Sequence, residues 1–492
     1  MKDRMQVALE KAQVEIEKTR DAVANAPSRQ MYHFMPQQGW LNDPNGLIYF
    51  RGHYHFFYQY NPYDSFWGAM HWGHAVSDDM LHFEYLPVAL APSEPYDDHP
   101  KGGCFSGSAI EHDGKLYLLY TGSANHGHGF VQSQCVAYSD DGIHFTKYEH
   151  NPVVRAPEGY DVTNFRDPKV WKHNDTYYMV CGTSKNGFAQ ALLFQSANLL
   201  QWRFVSVLAE SRGELGTMWE CPDFFAIGDR YVLVVSPMGV GERKTIYLVG
   251  DMDYRTGKFD YHKIGEVDWG CDYYAPQTFV DHQHRRIMVA WANAWEWMPW
   301  WKDWGPTYQE HWCGAFTIPR EVTLTSDDTL SCKPIVEVEH LRFGKSSFTN
   351  LLISDSYQIP TADSCAFDLN MILDLSQTTA KRIILSLRGD SSHETRLILD
   401  LEQSTMCLDR SRADNWSNGV SRSLLPLTQY KQLSIRVLVD TCSVEVFALD
   451  GTVNHSCNIY PTVEQNTNRI QVEGGVAFIS SMESFGLKRC IK

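Results

Sequence analysis

Five short motifs recur along the chain at nearly equal spacing, and this spacing restricts the fold more than any other feature of the sequence. The motifs are NDPNG, FSGS, FRDP, ECPD and YAPQ, which begin at Asn42, Phe105, Phe165, Glu220 and Tyr274. Their starts are 63, 60, 55 and 54 residues apart. Short aromatic and β-branched runs, bounded by Gly, Asn, Asp and Pro, lie between them and indicate short strands. Repeats of this length with several strands each predict an all-β body, a β-propeller with five blades.

The motifs occupy the same phase of each repeat, which predicts where their side chains meet. The first strand of a propeller blade lines the central channel, so residues of equal phase converge on one axial pocket. Four of the motifs also contain proline at the same point, at Pro44, Pro168, Pro222 and Pro276. Proline cannot donate to a strand ladder and is tolerated on an edge, such as the channel side of an innermost strand. We therefore expect the motifs to face one pocket.

The segments on either side of the repeats have different patterns. The spacing of apolar residues near the N-terminus predicts a helix that ends near Pro27. Its apolar stripe is formed by Met5, Leu9, Ala12 and Ile16. Seven tryptophans crowd between residues 291 and 312, and only one follows. Apolar and polar residues then alternate, as in residues 367–375 and 433–439, which predicts a β-sandwich. The expected organisation is a helix within residues 1–30, a propeller over 31–335 and a sandwich over 345–492.

Composition excludes several classes of protein and partner. The chain has 43 Lys and Arg against 59 Asp and Glu, and its net charge of −16 is unsuited to binding a phosphate backbone. It has no apolar run of about 18 residues, and its N-terminus lacks the apolar core of a secretory signal. Its 12 cysteines include no CxxC pair, which favours reduced thiols. We expect a cytoplasmic protein, monomeric or homodimeric, without nucleic-acid or membrane partners.

Three carboxylates stand in the motifs: Asp43, Asp167 and Glu220. Each of them alone is compatible with a turn, a surface ion pair or a strand exit. At one repeat phase, however, all three face one pocket, where unpaired like charges are costly unless they have a use. Two acids across a pocket suit glycoside hydrolysis, in which one attacks the anomeric carbon and the other protonates the leaving oxygen. The pattern therefore favours a glycosidase.

Several of these motifs together resemble glycoside hydrolase family 32, the family of the β-fructofuranosidases. The resemblance rests on WLNDPNG, WGHAVSDDMLHF, FSGS, FRDP, ECPD, YAPQTF and the late SVEVF, in that order along the chain. It extends over nearly the whole chain from Tyr32. It implies a five-bladed propeller followed by a β-sandwich, and retaining, exo-acting cleavage at C2 of terminal β-fructofuranosyl units through a covalent intermediate.

The resemblance also implies roles for individual residues. Asp43 matches the nucleophile, Asp167 the transition-state stabiliser and Glu220 the acid/base. Residues in positions that contact the fructosyl group are Asn42, Gln59, Trp67, Phe105, Ser106, Arg166 and Trp291. Asp272 is expected to reach the leaving group. The family often has Trp-Met-Gly where this chain has AWANAW from residue 290, which affects the leaving-group subsite.

The sequence leaves the substrate open within this class. Sucrose and short fructooligosaccharides are favoured over sucrose 6-phosphate, because no basic cluster is assignable to a phosphate, although Lys101 or Lys302 could supply one charge. A fructosyltransferase shares the same covalent intermediate, and a non-catalytic fructan-binding protein is disfavoured by the three intact acids. Paired histidines such as His53 and His55 lack a metal-binding signature, so no metal or cofactor is expected. A retaining enzyme should hold the Asp43 and Glu220 carboxyls roughly 5–5.5 Å apart.

Overall fold

A computed structural model of the protein describes residues 4–241, 243–295 and 305–490. Helix α1 (Arg4–Ala24) precedes the strands and buries the side chains of Met5, Ala12, Ile16 and Val23. The helix packs against the fourth strand of the first sheet. These buried residues lie seven, four and seven positions apart, spacings that keep them on one face of the helix, as the apolar stripe predicted. Within the described part of the chain, no helix has the length and apolar character needed to span a membrane.

Five sheets follow in chain order, and their strands are antiparallel except for one short strand that joins the first sheet later in the chain. Sheet 1 consists of β1 (Gly39–Phe50), β2 (His53–Asn61), β3 (His71–Ser77) and β4 (Phe83–Leu90). Sheet 2 consists of β5 (Gly103–His112), β6 (Lys115–Asn125), β7 (Phe130–Ser139), β8 (Thr146–Lys147) and β9 (Val154–Arg155). Sheet 3 consists of β10 (Phe165–His173), β11 (Thr176–Lys185), β12 (Phe188–Ser196) and β13 (Trp202–Glu210). Sheet 4 consists of β14 (Met218–Ile227), β15 (Arg230–Met238), β16 (Ile246–Asp253) and β17 (Lys258–Glu266).

Between the second and third strands of the fifth sheet, the chain adds one short strand to the first sheet. Strands β18 (Tyr274–Val280) and β19 (Arg286–Trp291) begin sheet 5. The chain then forms helix α2 (Gly305–Gln309) and β20 (Trp312–Cys313), which pairs in parallel with β1. It returns to sheet 5 as β21 (Arg320–Leu324) and β22 (Leu330–Pro334). The first strands of the five sheets contact one another in the cyclic order β1, β5, β10, β14, β18 and β1 again.

The rest of the chain forms two six-stranded sheets. After a 3-10 helix (Val336–Leu341), the strands are β23 (Arg342–Ile353), β24 (Ser356–Gln358), β25 (Phe367–Asp374), β26 (Arg382–Gly389), β27 (Thr395–Asp400), β28 (Thr405–Asp409), β29 (Val420–Leu424), β30 (Gln432–Val439), β31 (Ser443–Ala448), β32 (Val453–Asn458), β33 (Thr467–Glu473) and β34 (Ala477–Leu487). Two short 3-10 helices span Leu427–Gln429 and Leu449–Gly451. The strand orders are β23-β34-β25-β30-β31-β32 and β24-β33-β26-β27-β28-β29, and side chains from both sheets form one apolar core. The prediction of an all-β body is confirmed.

Buried charges join the last two sheets to the rest of the chain. Arg320 of β21 pairs with Asp268 at 2.8 Å and with Glu445 of β31 at 2.5 Å. Glu445 also accepts from His33 at 2.8 Å, and His33 binds Asp440 at 2.8 Å through its other nitrogen. All of these side chains are buried. Burial alone would lower the pKa of His33, but its hydrogen bonds to the two carboxylates raise it to about 9.

Replacing Glu445 by alanine is expected to lower the free energy of unfolding by about 3–5 kcal/mol, because it leaves two buried cations without their shared partner. Denaturant titration measures this loss. A matched control is Glu483→Ala, which removes a half-exposed partner of Lys345 and should cost no more than about 1 kcal/mol. Equal losses in Glu445→Ala and Glu483→Ala would contradict the prediction.

The stabilisation of the fold by His33 depends on pH. Because the folded-state pKa of His33 is raised, its contribution to the free energy of unfolding is complete below about pH 6.5 and is lost as the pH rises through about 9.

Candidate active site

Each first strand carries a β-bulge at its motif. The register against the second strand slips in all five sheets, between Leu41 and Pro44, Phe105 and Gly107, Arg166 and Lys169, Glu220 and Asp223, and Tyr274 and Gln277. Three residues inside the slips have positive φ: Asp167 at 64°, Cys221 at 47° and Ala275 at 51°. Bulges bend a strand and re-aim its side chains, and they are common beside active sites. The four repeated prolines, and Gly107 in sheet 2, therefore mark five local bends at equivalent positions.

The bulged strands contribute to the wall of one cavity of about 860 Å³. Nine of the residues that the sequence singled out line it: Asn42, Asp43, Gln59, Trp67, Phe105, Ser106, Arg166, Asp167 and Glu220. They come from the first two strands of sheet 1 and the first strands of sheets 2, 3 and 4, together with the turn that carries Trp67. The volume is in the range of small-ligand sites. Equal repeat phase has therefore brought distant carboxylates to one pocket.

Asp43 is buried and accepts three hydrogen bonds. Its Oδ1 accepts from Asn42 Nδ2 at 3.0 Å, and its Oδ2 accepts from Ser106 Oγ at 2.6 Å and from the Cys221 thiol at 3.4 Å. Burial raises the pKa of the Asp43 carboxyl to about 6, with the hydroxyl of Ser106 lowering it and the charge of Glu220 raising it. The Asn42 side chain is itself held by Trp40, whose indole nitrogen donates to Asn42 Oδ1 at 2.8 Å. The carboxyl is therefore fixed in one orientation.

Asp167 lies beside Asp43 and has fewer polar partners. Its Oδ2 accepts from the Cys221 backbone nitrogen at 2.8 Å and from the Cys221 thiol at 3.5 Å. Its own backbone nitrogen donates to Thr121 Oγ1 at 2.9 Å, which anchors the bulge. The pKa of the Asp167 carboxyl is raised to about 7, mainly by burial. The positive charge of Arg166 opposes this rise, and the negative charges of Glu220 and Asp43 add to it. The Cys221 thiol thus lies between the carboxyls of Asp43 and Asp167 and contacts both.

Glu220 is held by a cation and a phenol. Arg166 donates to Glu220 Oε1 through Nε at 3.1 Å and through Nη2 at 2.9 Å. Tyr274 OH donates to Glu220 Oε2 at 2.5 Å. The other end of the guanidinium donates to Gln132 at 3.1 Å and to Asn164 at 3.0 Å. The Glu220 side chain keeps 17% of its surface exposed, so it is the acid that faces the open part of the cavity.

Aromatic rings complete the cavity. Trp67 and Phe105 meet edge to face, with ring centroids 6.1 Å apart. Trp295 lines another part of the wall and stacks on Trp40 at 6.2 Å. Flat apolar faces of this kind pack well against the carbon-rich face of a sugar ring. The cavity therefore combines acids on its inner strands with aromatic surfaces around them.

The structure does not bring two of the singled-out residues to the wall of this cavity. Trp291, the last residue of β19, is fully buried behind Trp295, with ring centroids 4.5 Å apart. Asp272 is also buried, and it accepts from Arg410 of the last sheets at 2.5 Å and from the Asn458 backbone nitrogen at 2.7 Å. These two contacts engage its carboxylate, and Asp272 is not among the residues that line the cavity.

Several lining residues were not singled out from the sequence. They include Tyr274, Gln132, Asn164, Met238 and Trp295. Tyr274 begins the fifth motif, so its repeat phase was a usable signal. The other four lie outside the motifs. Lys101 lines the rim, as the sequence allowed, whereas Lys302 lies outside the described residues.

The paired histidines engage other side chains. His53 binds Asp78 at 2.7 Å on the surface, and His55 contacts His74 at 3.0 Å in the interior. Across the described ranges, no group of three or more His, Cys, Asp or Glu side chains is arranged to hold a metal ion.

Two family models match the chain. The N-terminal domain model of glycosyl hydrolases family 32 matches residues 33–334, and the C-terminal model of the same family matches residues 337–485. The chain belongs to glycoside hydrolase family 32. The resemblance drawn from the motifs is therefore confirmed, and the chain is a glycoside hydrolase.

Individual relatives agree with this assignment. A sucrose-6-phosphate hydrolase from Escherichia coli is 38% identical over 467 residues, covering 91% of this chain and 92% of the relative. A raffinose invertase, also from Escherichia coli, is 37% identical over 466 residues, covering 92% and 93%. Among solved structures, a family 32 β-fructofuranosidase from Bombyx mori superimposes with a TM-score of 0.82 at 30% identity, covering 99% of both chains. A mutant of that enzyme has been solved in complex with sucrose.

Proposed function

We propose that this protein is a retaining, exo-acting β-fructofuranosidase that hydrolyses terminal β-fructofuranosyl units of sucrose and short fructooligosaccharides. One observation carries the proposal: Asp43, Asp167 and Glu220, from three different sheets, line a single cavity. The invertase and β-fructofuranosidase relatives support the reaction class. A cavity walled by five converging strands suits a substrate that enters by its terminal sugar.

We propose further that the five sheets are the blades of a propeller over residues 31–335. The cyclic contacts of the first strands support this arrangement. The pairing of β20 with β1 supports it also, because a late segment then closes the ring against the first blade. The two six-stranded sheets with their common core support a separate sandwich domain over residues 345–492.

In the proposed reaction, Asp43 attacks C2 of the fructosyl unit. Hydrogen bonds from Asn42 and Ser106 orient its carboxylate, so little motion is needed to reach the carbon. Glu220 gives its proton to the leaving oxygen and then takes one from the water that hydrolyses the covalent intermediate. Asp167 accepts hydrogen bonds from fructose hydroxyls, and its negative charge stabilises the oxocarbenium-like transition state. Arg166 and Tyr274 position Glu220.

The stereochemistry of the product tests this mechanism. Proton NMR of the first turnovers should show fructose released with retained configuration at C2. A crystal structure should place the Asp43 and Glu220 carboxyls roughly 5–5.5 Å apart, the separation for direct attack. Inverted product together with a separation near 9 Å would replace the covalent route by attack of a water molecule.

The pH profile should report the ionisation of Asp43. Because burial raises the pKa of this carboxyl to about 6, kcat/KM on sucrose is expected to rise as the pH passes through about 6, where the nucleophile becomes charged. Ser106→Ala removes a hydrogen bond that favours the charged form, so it should move this acid limb to higher pH. An acid limb at the same pH in both proteins would assign it to another group.

Sucrose 6-phosphate is the second candidate substrate. The relatives named sucrose-6-phosphate hydrolase favour it, and so does Lys101, an exposed cation at the cavity rim. The kcat/KM values for sucrose, sucrose 6-phosphate, 1-kestose, inulin and levan decide between the candidates, with products followed over time to separate hydrolysis from fructosyl transfer. We expect sucrose to exceed the phosphate ester and polymers to be poor substrates. A much higher value for the ester, lost selectively in Lys101→Met, would reverse this preference.

A further inference from the structure

A second cavity, of about 620 Å³, lies where the segment after sheet 4 meets the last sheets. One side is formed by Val240, Arg243, Lys244, Glu266, Asp268, Trp269 and Cys271, and the other by Arg410 and residues 418–422. Its lining includes one thiol, Cys271. Of the 12 cysteines, all of them in the described part of the chain, ten are buried and only Cys271 and Cys365 are half-buried. Cys271 is therefore one of two thiols that a solute can reach.

Directly behind Cys271 lies a second thiol, Cys457 of β32. The Cys271 backbone nitrogen donates to Cys457 Sγ at 3.4 Å. The segment before β18 runs alongside β32, because the nitrogens of Trp269 and Asp272 donate to the carbonyls of Asn454 and Ser456 at 2.8 and 3.0 Å. The backbones approach so closely that a Cβ at Gly270 would lie 2.0 Å from the Ser456 oxygen. The thiol pair thus joins parts of the chain 186 residues apart.

The charges around Cys271 favour its thiolate. Cations in the cavity wall are Arg243, Lys244, Arg410 and Arg422. The nearby acids are paired: Glu266 binds Arg243 at 3.0 Å, Asp268 binds Arg320 at 2.8 Å and Asp272 binds Arg410 at 2.5 Å. The interaction with the Cys457 thiol lowers the pKa of Cys271. Burial and the Asp272 carboxylate oppose this effect, and the positive charges of Arg410 and Lys244 lower the pKa further. Burial raises the pKa of Cys457, which keeps that group a thiol.

We propose that Cys271 is a site of reversible thiol modification that takes a small anionic disulfide, and that Cys457 is its resolving cysteine. The Cys271 thiolate attacks one sulfur of a disulfide that carries carboxylates, such as oxidised glutathione. The S–S bond breaks, and one glutathione leaves as thiolate and takes up a proton. Cys457 then loses its proton and attacks Cys271 Sγ, which expels the second glutathione. The two protein thiols are oxidised to one disulfide between the propeller and the sandwich, and oxidised glutathione is reduced to two thiols.

Mass spectrometry of the full-length protein tests the order of these steps. The reduced protein is treated with oxidised glutathione, quenched in acid and digested without reductant. Wild type and Cys365→Ser are expected to give a Cys271–Cys457 crosslinked peptide. Cys457→Ser should stop at a stable glutathione adduct on Cys271, and Cys271→Ser should show no adduct on Cys457. Wild-type protein modified no faster at Cys271 than at Cys365, or never crosslinked to Cys457, would overturn the proposal.

A second measurement separates the cationic cavity from simple exposure. The double variant Arg243→Gln and Arg422→Gln should react about tenfold more slowly with oxidised glutathione than wild type, because both cations attract the carboxylates. With uncharged hydroxyethyl disulfide, the two proteins should react at equal rates. If wild type and the double variant also reacted at equal rates with oxidised glutathione, the preference for an anionic disulfide would be excluded.

The crosslink should also change thermal stability. Crosslinked wild type should melt about 2–4 °C higher than the reduced protein, and its Tm should return to the reduced value after reduction, since the crosslink closes a long loop.

Discussion

Replacing Asp43 by alanine is expected to lower kcat on sucrose by on the order of 10⁶-fold, the scale on which loss of a catalytic nucleophile acts. The substitution removes the atom that we propose attacks C2, and the other two carboxylates are held in place by their own partners. Asp167 is tied to the Cys221 backbone at 2.8 Å, and Glu220 is held by Arg166 and Tyr274. Steady-state kinetics with sucrose measures the loss, and a donor with a better leaving group should not restore activity.

The loss should not come from unfolding. Because burial raises the folded-state pKa of Asp43 to about 6, its charged form opposes folding at neutral pH, so the variant's Tm should not fall. Asp78→Ala provides the matched control, since that aspartate lies on the surface and pairs with His53. It should leave kcat unchanged. An Asp43→Ala variant that keeps wild-type kcat would exclude Asp43 as the nucleophile.

The repeat phase made the inner wall of the cavity predictable. Each motif stands on a first strand, and its proline or glycine marks the bulge that turns a side chain toward the cavity. Asp167 and Glu220 are 53 residues apart in sequence, yet equivalent strand positions bring both to one wall. A strand period and a repeat length are local properties, so one sequence is sufficient to detect them.

The positions of Trp291 and Trp295 could not be predicted from the repeat phase. Trp291 is the last residue of β19, and the residues next to it in sequence do not indicate which face of the strand its side chain occupies. Trp295 lies four residues beyond the strand, where the strand period no longer fixes a side-chain direction. The structure buries the first and exposes the second to the cavity.

Asp272 shows a different limit. It stands two residues before β18, next to the fifth motif, and its position in sequence resembles that of a pocket residue. Its partner Arg410 follows 138 residues later, in another part of the fold. Ion pairs between distant segments have no local signal, and desolvation strongly favours pairing a buried carboxylate with a buried guanidinium. The pairing therefore determined where Asp272 lies.

Removing the proposed acid as Glu220→Ala should lower kcat on sucrose by about 10²–10⁴-fold, the usual effect of general acid catalysis. The sucrose leaving oxygen needs a proton, and the structure offers Glu220 as the exposed carboxyl of the three. A fructosyl donor with a fluoride leaving group departs without that proton. The variant should therefore form the covalent intermediate from the fluoride at close to the wild-type rate, as a stopped-flow burst of released fluoride would show.

The second half of the reaction distinguishes Glu220 from Asp43 most clearly. Without Glu220 no base activates water, so the intermediate should accumulate, and azide, which attacks without losing a proton, should accelerate its breakdown. Asp43→Ala forms no covalent intermediate, so azide should not restore it through this route. If Glu220→Ala instead fails equally on sucrose and fluoride, with no response to azide, the assignment of acid and base to this residue is wrong.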